Sequence, residues 1–233
     1  MIIAVVGGTG WQGAGVAVRI AAAGHTALIG SRDVERAKSL AEKLPAALDL
    51  PAGLFDAATN EDAASRADIV FVTVPMTAHA MTLEAIKPFV IGKIVVDVTA
   101  PVNPKNQIEN LWPPEGSATQ QAQAILKGVA DVVGALKNIS ATALFNYKKP
   151  SNCDILIMGE DITSKHRISS LLREMKLNSY DVGSGEICRT VEGLTSLLIY
   201  LNYAYHLRQP GVKIAQIDPG LDFIPTDGIL PGT

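Results

Sequence analysis

The sequence predicts an α/β fold, a doubly wound parallel sheet with a small, mainly helical C-terminal portion, and three observations carry that prediction. Bare apolar runs with the length and β-branching of buried strands recur over the first 136 residues, helical stretches lie between them, and a glycine motif sits at the first strand-to-helix junction. Strands that alternate with helices imply right-handed crossovers, and ligands of such sheets lie off the carboxyl ends of the strands.

Met1 to Val6 reads as the first strand; it is too short, and lacks the preceding basic region, for a signal peptide. Gly8-Thr9-Gly10-Trp11-Gln12-Gly13 follows as G-x-G-x-x-G and opens a helix, Ala14 to Ala23, that carries one charge, Arg19, and stops at Gly24-His25. This strand, turn and helix order suits a dinucleotide pyrophosphate. Glycines turn the chain tightly, let backbone N–H groups approach the phosphates and aim a helix N-terminus at their charge, which is the Rossmann arrangement. The competing reading is a glycine turn used only for close helix–strand packing.

The second strand, Thr26 to Ile29, ends beside the expected adenosine ribose, about 20 residues beyond the glycines. An acid there would bind NAD. The chain instead offers Gly30-Ser31-Arg32 and, four residues on, Arg36, so a hydroxyl and two guanidinium groups stand where a carboxylate would repel phosphate. Arg32 and Arg36 share one helix face, and guanidinium binds phosphate bidentately, which selects NADP(H). The alternative is a solvated helix start in which Asp33 and Glu35 pair with these arginines.

Asn60-Glu61-Asp62 opens a short helix, and Ile69 to Val74 is the next strand, ending at Pro75. A helix from about Thr77 to Lys87 stops at Pro88; Lys93 to Val98 returns as a strand and ends at Thr99-Ala100-Pro101. Val74 and Pro75 and the stretch Val98 to Pro101, with Val98, Ala100 and Pro101, are therefore expected to line the crevice of the glycine loop as small, flat walls, although turn formation alone would place both prolines equally well. Pro104 to Gly116 has little periodicity and reads as the longest loop, a candidate lid. Ser117 caps a helix through Leu126, and Asp131 to Leu136 is a strand ending at Lys137-Asn138. The alternation continues as Asp154 to Met158, Thr163 to Met175 and Ser179 to Val182. Glu192 to about Leu207 carries apolar residues nearly all round, so it is expected to lie across the crevice or in a homodimer interface. The organisation follows: a dinucleotide-binding domain over 1–136, a cap and dimerisation portion over 137–208, and an irregular tail over 209–233 punctuated by glycine and proline.

The 233 residues suffice for one such domain with a modest appendage. An apolar content of 48% indicates large buried faces or an oligomer interface. A net charge of −3 without a basic run gives no reason to expect nucleic acid, no stretch reaches the length of a membrane span, and no metal site is expected. Cys153 and Cys188 form neither a disulfide framework nor a C-x-x-C pair, so a reducing, cytoplasmic setting is expected.

Gly7-Gly8-Thr9-Gly10-x-x-Gly13, Gly30-Ser31-Arg32, Val74-Pro75, the Val95-Val96-Asp97-Val98 strand leading to Pro101, and the closing helix before Gly211-Val212-Lys213 together resemble the NADPH-dependent oxidoreductases of the deazaflavin coenzyme F420. The resemblance spans most of the chain. It implies 2′-phosphate contacts at Thr9, Ser31, Arg32 and Arg36, the last an arginine where lysine is usual. It also implies coenzyme F420 as the second substrate, with hydride passing between nicotinamide C4 and deazaflavin C5. After the strand ending Ala135-Leu136 the family carries a histidine near the deazaflavin; this chain has Lys137. The tail after Lys213 is also foreign to the family pattern.

In that role the protein mainly aligns two rings, and the cofactors supply the chemistry. Lys137 is the candidate catalytic residue, as compensator of charge on a reduced ring; a plain solvated lysine at a strand end is the opposing reading. His79 stands within two turns of Pro75, either touching the nicotinamide amide or lying half-exposed on its helix. Two other functions fit the same fold: an NADPH-dependent reductase of a small imine, ketone or flavin, with Lys137 or His79 as proton donor, and a non-catalytic NADPH sensor.

Overall fold

A computed structural model describes residues 1–207 and 209–215. The first half alternates strand and helix: β1 (Ile2–Val6), α1 (Trp11–Ala22), β2 (Thr26–Gly30), α2 (Val34–Leu48), β3 (Phe55–Ala58), α3 (Asn60–Arg66), β4 (Ile69–Val72), α4 (Met76–Ile86) and β5 (Ile94–Asp97). A small hairpin, β6 (Val102–Asn103) and β7 (Asn106–Asn110), interrupts the pattern before α5 (Ala118–Ile125) and β8 (Asp131–Gly134). The remainder is α6 (Ala141–Phe145), β9 (Ile155–Gly159), α7 (Ile162–Glu174), β10 (Ser179–Asp181) and α8 (Glu186–Ala204).

The main sheet has the strand order β10-β9-β8-β5-β4-β1-β2-β3. Its core, β3-β2-β1-β4-β5-β8, is parallel throughout and follows the doubly wound order, with the chain reversing direction between β1 and β4. Strand β9 then runs antiparallel to β8, and β10 parallel to β9. The described residues after β8 thus carry three helices, α6, α7 and α8, and add two strands to the same sheet.

Alternate residues of each strand feed opposite faces, as the pleat requires. Ile3 and Val5 of β1 pack with Val16 and Ile20 of α1, with Ile29 and with Leu144 of α6, while Ala4 and Val6 pack with Leu83 and Ile86 of α4 and Leu126 beyond α5. Each such buried branched side chain stabilises the fold by about 1.5–3 kcal/mol. Arg19, the single charge of α1, is itself buried. Its guanidinium donates to the carbonyls of Ala143, Leu144 and Asn146 at the end of α6 and to Met175 at 2.8–3.1 Å, and burial brings it down to about 10.

The structure departs from the sequence reading or adds to it at four places. Pro104 to Gly116 is not structureless: β7 returns on β6 to make the hairpin, which alternation of polar residues hides from a hydrophobic pattern. The β3 segment Phe55-Asp56-Ala57-Ala58 has no apolar run, and α6 spans only five residues, so neither was legible. The last helix starts six residues earlier than Glu192 and ends at Ala204. Of the tail, residues 209–215 are irregular but docked, with Lys213 and the Ile214 N–H both held by Asp154, at 2.9 and 2.8 Å; the rest lies outside the described residues. No described helix is long and apolar enough to cross a membrane.

Candidate active site

The carboxyl ends of β1, β2, β4, β5 and β8 open on one crevice of about 880 Å³. Its first end is the glycine turn. Gly7 takes φ +75°, and a Cβ on Gly13 would stand 2.6 Å from Thr73 Oγ1 and 2.7 Å from Gly8 Cα, so helix, strand and turn approach too closely for a side chain. Thr9, Gly10, Trp11 and Gln12 face the crevice, whereas Gly8 and Gly13 lie behind it. The Gly8 N–H is held by the Val5 and Gly30 carbonyls at 3.0 and 2.9 Å, so this donor faces the sheet, and Gly8 and Gly13 are the points of close packing in the turn. The first N–H groups of α1 have no intrahelical partner and open at Trp11 and Gln12, where a helix N-terminus favours an anion.

Asn60, which the sequence placed only as a helix start, accepts from the Gly7 N–H at 3.1 Å and lines the crevice. Beside it lie Ser31, Arg32 and Arg36. Ser31 Oγ stands 3.4 Å from Thr9 Oγ1, and Arg36 donates to the Thr9 carbonyl at 3.2 Å. The acids nearest the arginines are used elsewhere: Asp33 caps α2 by accepting the Arg36 N–H, and Glu35 pairs with Lys38 at 2.8 Å. Among the described residues neither guanidinium has a carboxylate partner, and both remain exposed. The corner is a hydroxyl pair with two open cations, a chemistry suited to a phosphate monoester.

The far half is walled by Val74, Pro75 and Ala78 on one side and Val98, Thr99 and Ala100 on the other. Pro101 does not line it; this residue is buried and its carbonyl accepts the Leu111 N–H, anchoring the hairpin whose Val102 and Gln107 do reach the crevice. Leu136, Ile139 and, from α8, Thr195 and Ile199 close this end. A second cavity of about 210 Å³, reaching Asn202 and Ser140, shares Lys137, Ile139, Thr195 and Ile199 with it. Thr99 falls within the strand end expected at the crevice, whereas Asn60, Gln107 and Thr195 carried no motif that placed them there.

Lys137 departs from both expectations. Its side chain is 0% exposed, and the ammonium donates to Asp97 Oδ2 at 2.8 Å and the Thr99 carbonyl at 2.5 Å while pairing with Glu192 Oε1 at 3.1 Å. Three protons meet three acceptors, so none is left for a ring or a proton transfer. Burial alone would lower its affinity for the proton, but the two carboxylates outweigh it and raise it. His79 is likewise neither half-exposed nor in the crevice: it is fully buried between Asp97 and Gln121. Asp97 is held well below the usual carboxylate range, because Lys137 and His79 together overcome the opposing effect of burial. Glu192 also accepts the Ala118 and Thr119 N–H groups at 2.8 and 2.9 Å, fixing α8 on the first turn of α5.

Comparison with known proteins agrees with this architecture. A family profile described as NADP oxidoreductase, coenzyme F420-dependent, matches residues 2–101. The chain is 36% identical to the F420-dependent NADP reductase of Methanothermobacter marburgensis over 224 residues, covering 93% of this chain and 99% of the relative. It is 33% identical to the F420-dependent NADP reductase of Methanocaldococcus jannaschii, covering 94% of this chain and 100% of that one. The crystal structure of a candidate F420-dependent NADP reductase from Arthrobacter sp. FB24 superposes with a TM-score of 0.78 at 26% identity, covering 93% of this chain and 100% of that chain. With a parallel core sheet, a glycine turn and a matching extent over nearly its whole length, the chain belongs to the coenzyme F420-dependent NADP oxidoreductase family.

Proposed function

We propose that this protein is an NADP-dependent oxidoreductase that transfers hydride between NADPH and coenzyme F420. One observation carries the reading: the crevice runs from two open guanidinium groups to apolar walls, and among the described residues the only titratable group lining its far half, Lys137, is spent in ion pairs. Reduction of an imine or ketone needs a proton donor at the reacting bond, whereas a deazaflavin accepts hydride at a ring carbon and draws its proton from water. An aligning site without an acid suits the second case.

The residues fit the dinucleotide. Gly10 with the first turn of α1 holds the pyrophosphate, Thr9, Ser31, Arg32 and Arg36 hold the 2′-phosphate, and Val74, Pro75, Val98 and Ala100 bracket the nicotinamide. When bound, NADPH supplies the hydride; the walls keep the ring in register and exclude water. The exposed Leu197, Tyr200 and Tyr203 of α8 support a homodimer built on that helix, in a cytoplasm reducing enough to keep Cys153 and Cys188 as buried thiols. The test is NADPH oxidation followed by its absorbance with F420, free flavin or a cyclic imine. Turnover with F420 alone supports the proposal, turnover with the imine alone supports the small-substrate reductase, and binding without turnover supports the sensor.

A further inference from the structure

The buried side chains behind the Thr99 wall make a closed charge cluster. His79, on α4, sends Nε2 to Asp97 Oδ1 at 3.1 Å and Nδ1 to Gln121 Oε1 at 2.9 Å. The Gln121 amide is oriented by its other end, because its Nε2 donates to Glu115 Oε2 at 3.1 Å and a reversed amide would set two acceptors against each other. An oxygen therefore faces Nδ1, and a carboxylate faces Nε2. A neutral imidazole has one donor and one acceptor nitrogen; here both nitrogens meet acceptors, in an interior where an unmatched lone pair is costly. The charges agree, since Asp97 and Glu192 carry two negative charges and Lys137 one positive, which a cationic ring brings to neutrality.

We propose that His79 is a buried imidazolium and a positioning residue of the crevice, acting through Asp97 on the Thr99 wall. The path is continuous. Asp97 Oδ1, held by His79, also accepts the Thr99 N–H at 3.1 Å; Asp97 Oδ2 is held by Lys137, which takes the Thr99 carbonyl; and Thr99 Oγ1 donates to the Val74 carbonyl at 3.0 Å. Both sides of the far crevice, Val74 and Thr99, are thus tied to one carboxylate whose direction two cations set. The groups around the ring are Asp97 from β5, Gln121 of α5 and Glu115 before it, Lys137 after β8 and, through Lys137, Glu192 of α8. Burial and Lys137 oppose the proton on His79, but Asp97 and Gln121 prevail, and the ring is shifted toward its charged form. The inference rests on the hydride-transfer reading for its consequence in catalysis, not for the protonation itself.

The experiment is a ¹⁵N titration of the four histidine rings in the intact protein, with His79 assigned by its loss in His79→Gln. Both His79 nitrogens are expected to stay protonated above pH 6.5, where an unperturbed histidine becomes neutral. A His79 ring that turns neutral at or below pH 6.5 overturns the proposal whether or not any variant folds. In His79→Gln, hydrogen-exchange protection of the Thr99 amide is expected to drop, and kcat with F420 to fall about tenfold or more with KM for NADPH little changed. Protection equal to wild type overturns the positioning role, as does an unchanged kcat. A wild-type protein inert toward F420 would remove the reaction assigned above, while the ring titration and the Thr99 amide still decide this inference.

Discussion

The side-chain amide of Gln12 donates to the carbonyls of Leu136 and Ile139, each at 3.3 Å, and so ties the glycine turn to the end of β8 on the opposite half of the sheet. Leu136 adopts φ 59°, a left-handed conformation costly for a leucine, and its fully buried side chain holds it there. The two halves of the doubly wound sheet thus meet at the ligand crevice through a residue of the G-x-G-x-x-G motif.

Arg32→Ala is expected to weaken NADPH binding and spare NADH, because only the 2′-phosphate needs the guanidinium. A charged hydrogen bond contributes about 1.5–3 kcal/mol, so the loss is roughly ten- to a hundredfold in Kd. Calorimetric titration with both nucleotides checks it; equal weakening of the two overturns the assignment.

Trp11 is 79% exposed at the crevice, edge-on to Phe145 with ring centroids 5.7 Å apart. Its fluorescence is expected to change when NADPH binds. Trp112 lies beneath the Arg189 guanidinium at 4.7 Å and gives a competing signal, so the titration belongs in a Trp112→Phe background. A flat signal with binding proved by calorimetry would move the pyrophosphate away from this turn.

Leu197 and Tyr200 are 50% and 53% exposed on α8, whereas Leu198 and Leu201 are half-buried, so the outward pair is the one to change. The double variant Leu197→Asp with Tyr200→Ser is expected to halve the mass seen by light scattering with little change in Tm. A wild-type chain already monomeric at micromolar concentration would refute the dimer.

His79 binds its proton more tightly in the folded chain than the ordinary value of 6.5. The stability this supplies is complete below about pH 6.5 and is lost as pH rises through the raised native value. The Tm of wild type relative to His79→Gln is therefore expected to shrink steadily above that pH. A difference constant from about pH 6 to 9 would contradict the shift.

The parallel core and the polar corner of the crevice were legible because their signals are local: apolar strands, a glycine turn, and Ser31, Arg32 and Arg36 soon after the end of β2. The ion-pair cluster was not. Asp97, Lys137 and Glu192 are far apart in sequence and each, alone, resembles an ordinary surface charge; only the sheet order that places β8 beside β5, with α8 held on the first turn of α5, brings them together. The same distance in sequence explains Lys137, read as a helper in chemistry and found as a buried strut. Hairpin β6–β7 escaped for a different reason, since neither of its faces is apolar enough to leave a period.

Asp154 is fully buried, and both of its carboxylate oxygens are satisfied by the stretch after α8, by Lys213 and by the Ile214 N–H. That clasp sets a practical limit for protein engineering. A chain that extends at least through Ile214 keeps both partners of the carboxylate. One ending at Gln209 strands a buried anion, at a cost of several kcal/mol, and is expected to express poorly and melt much lower. A label or fusion partner therefore belongs after position 214, where it hangs from a point already fastened to the sheet.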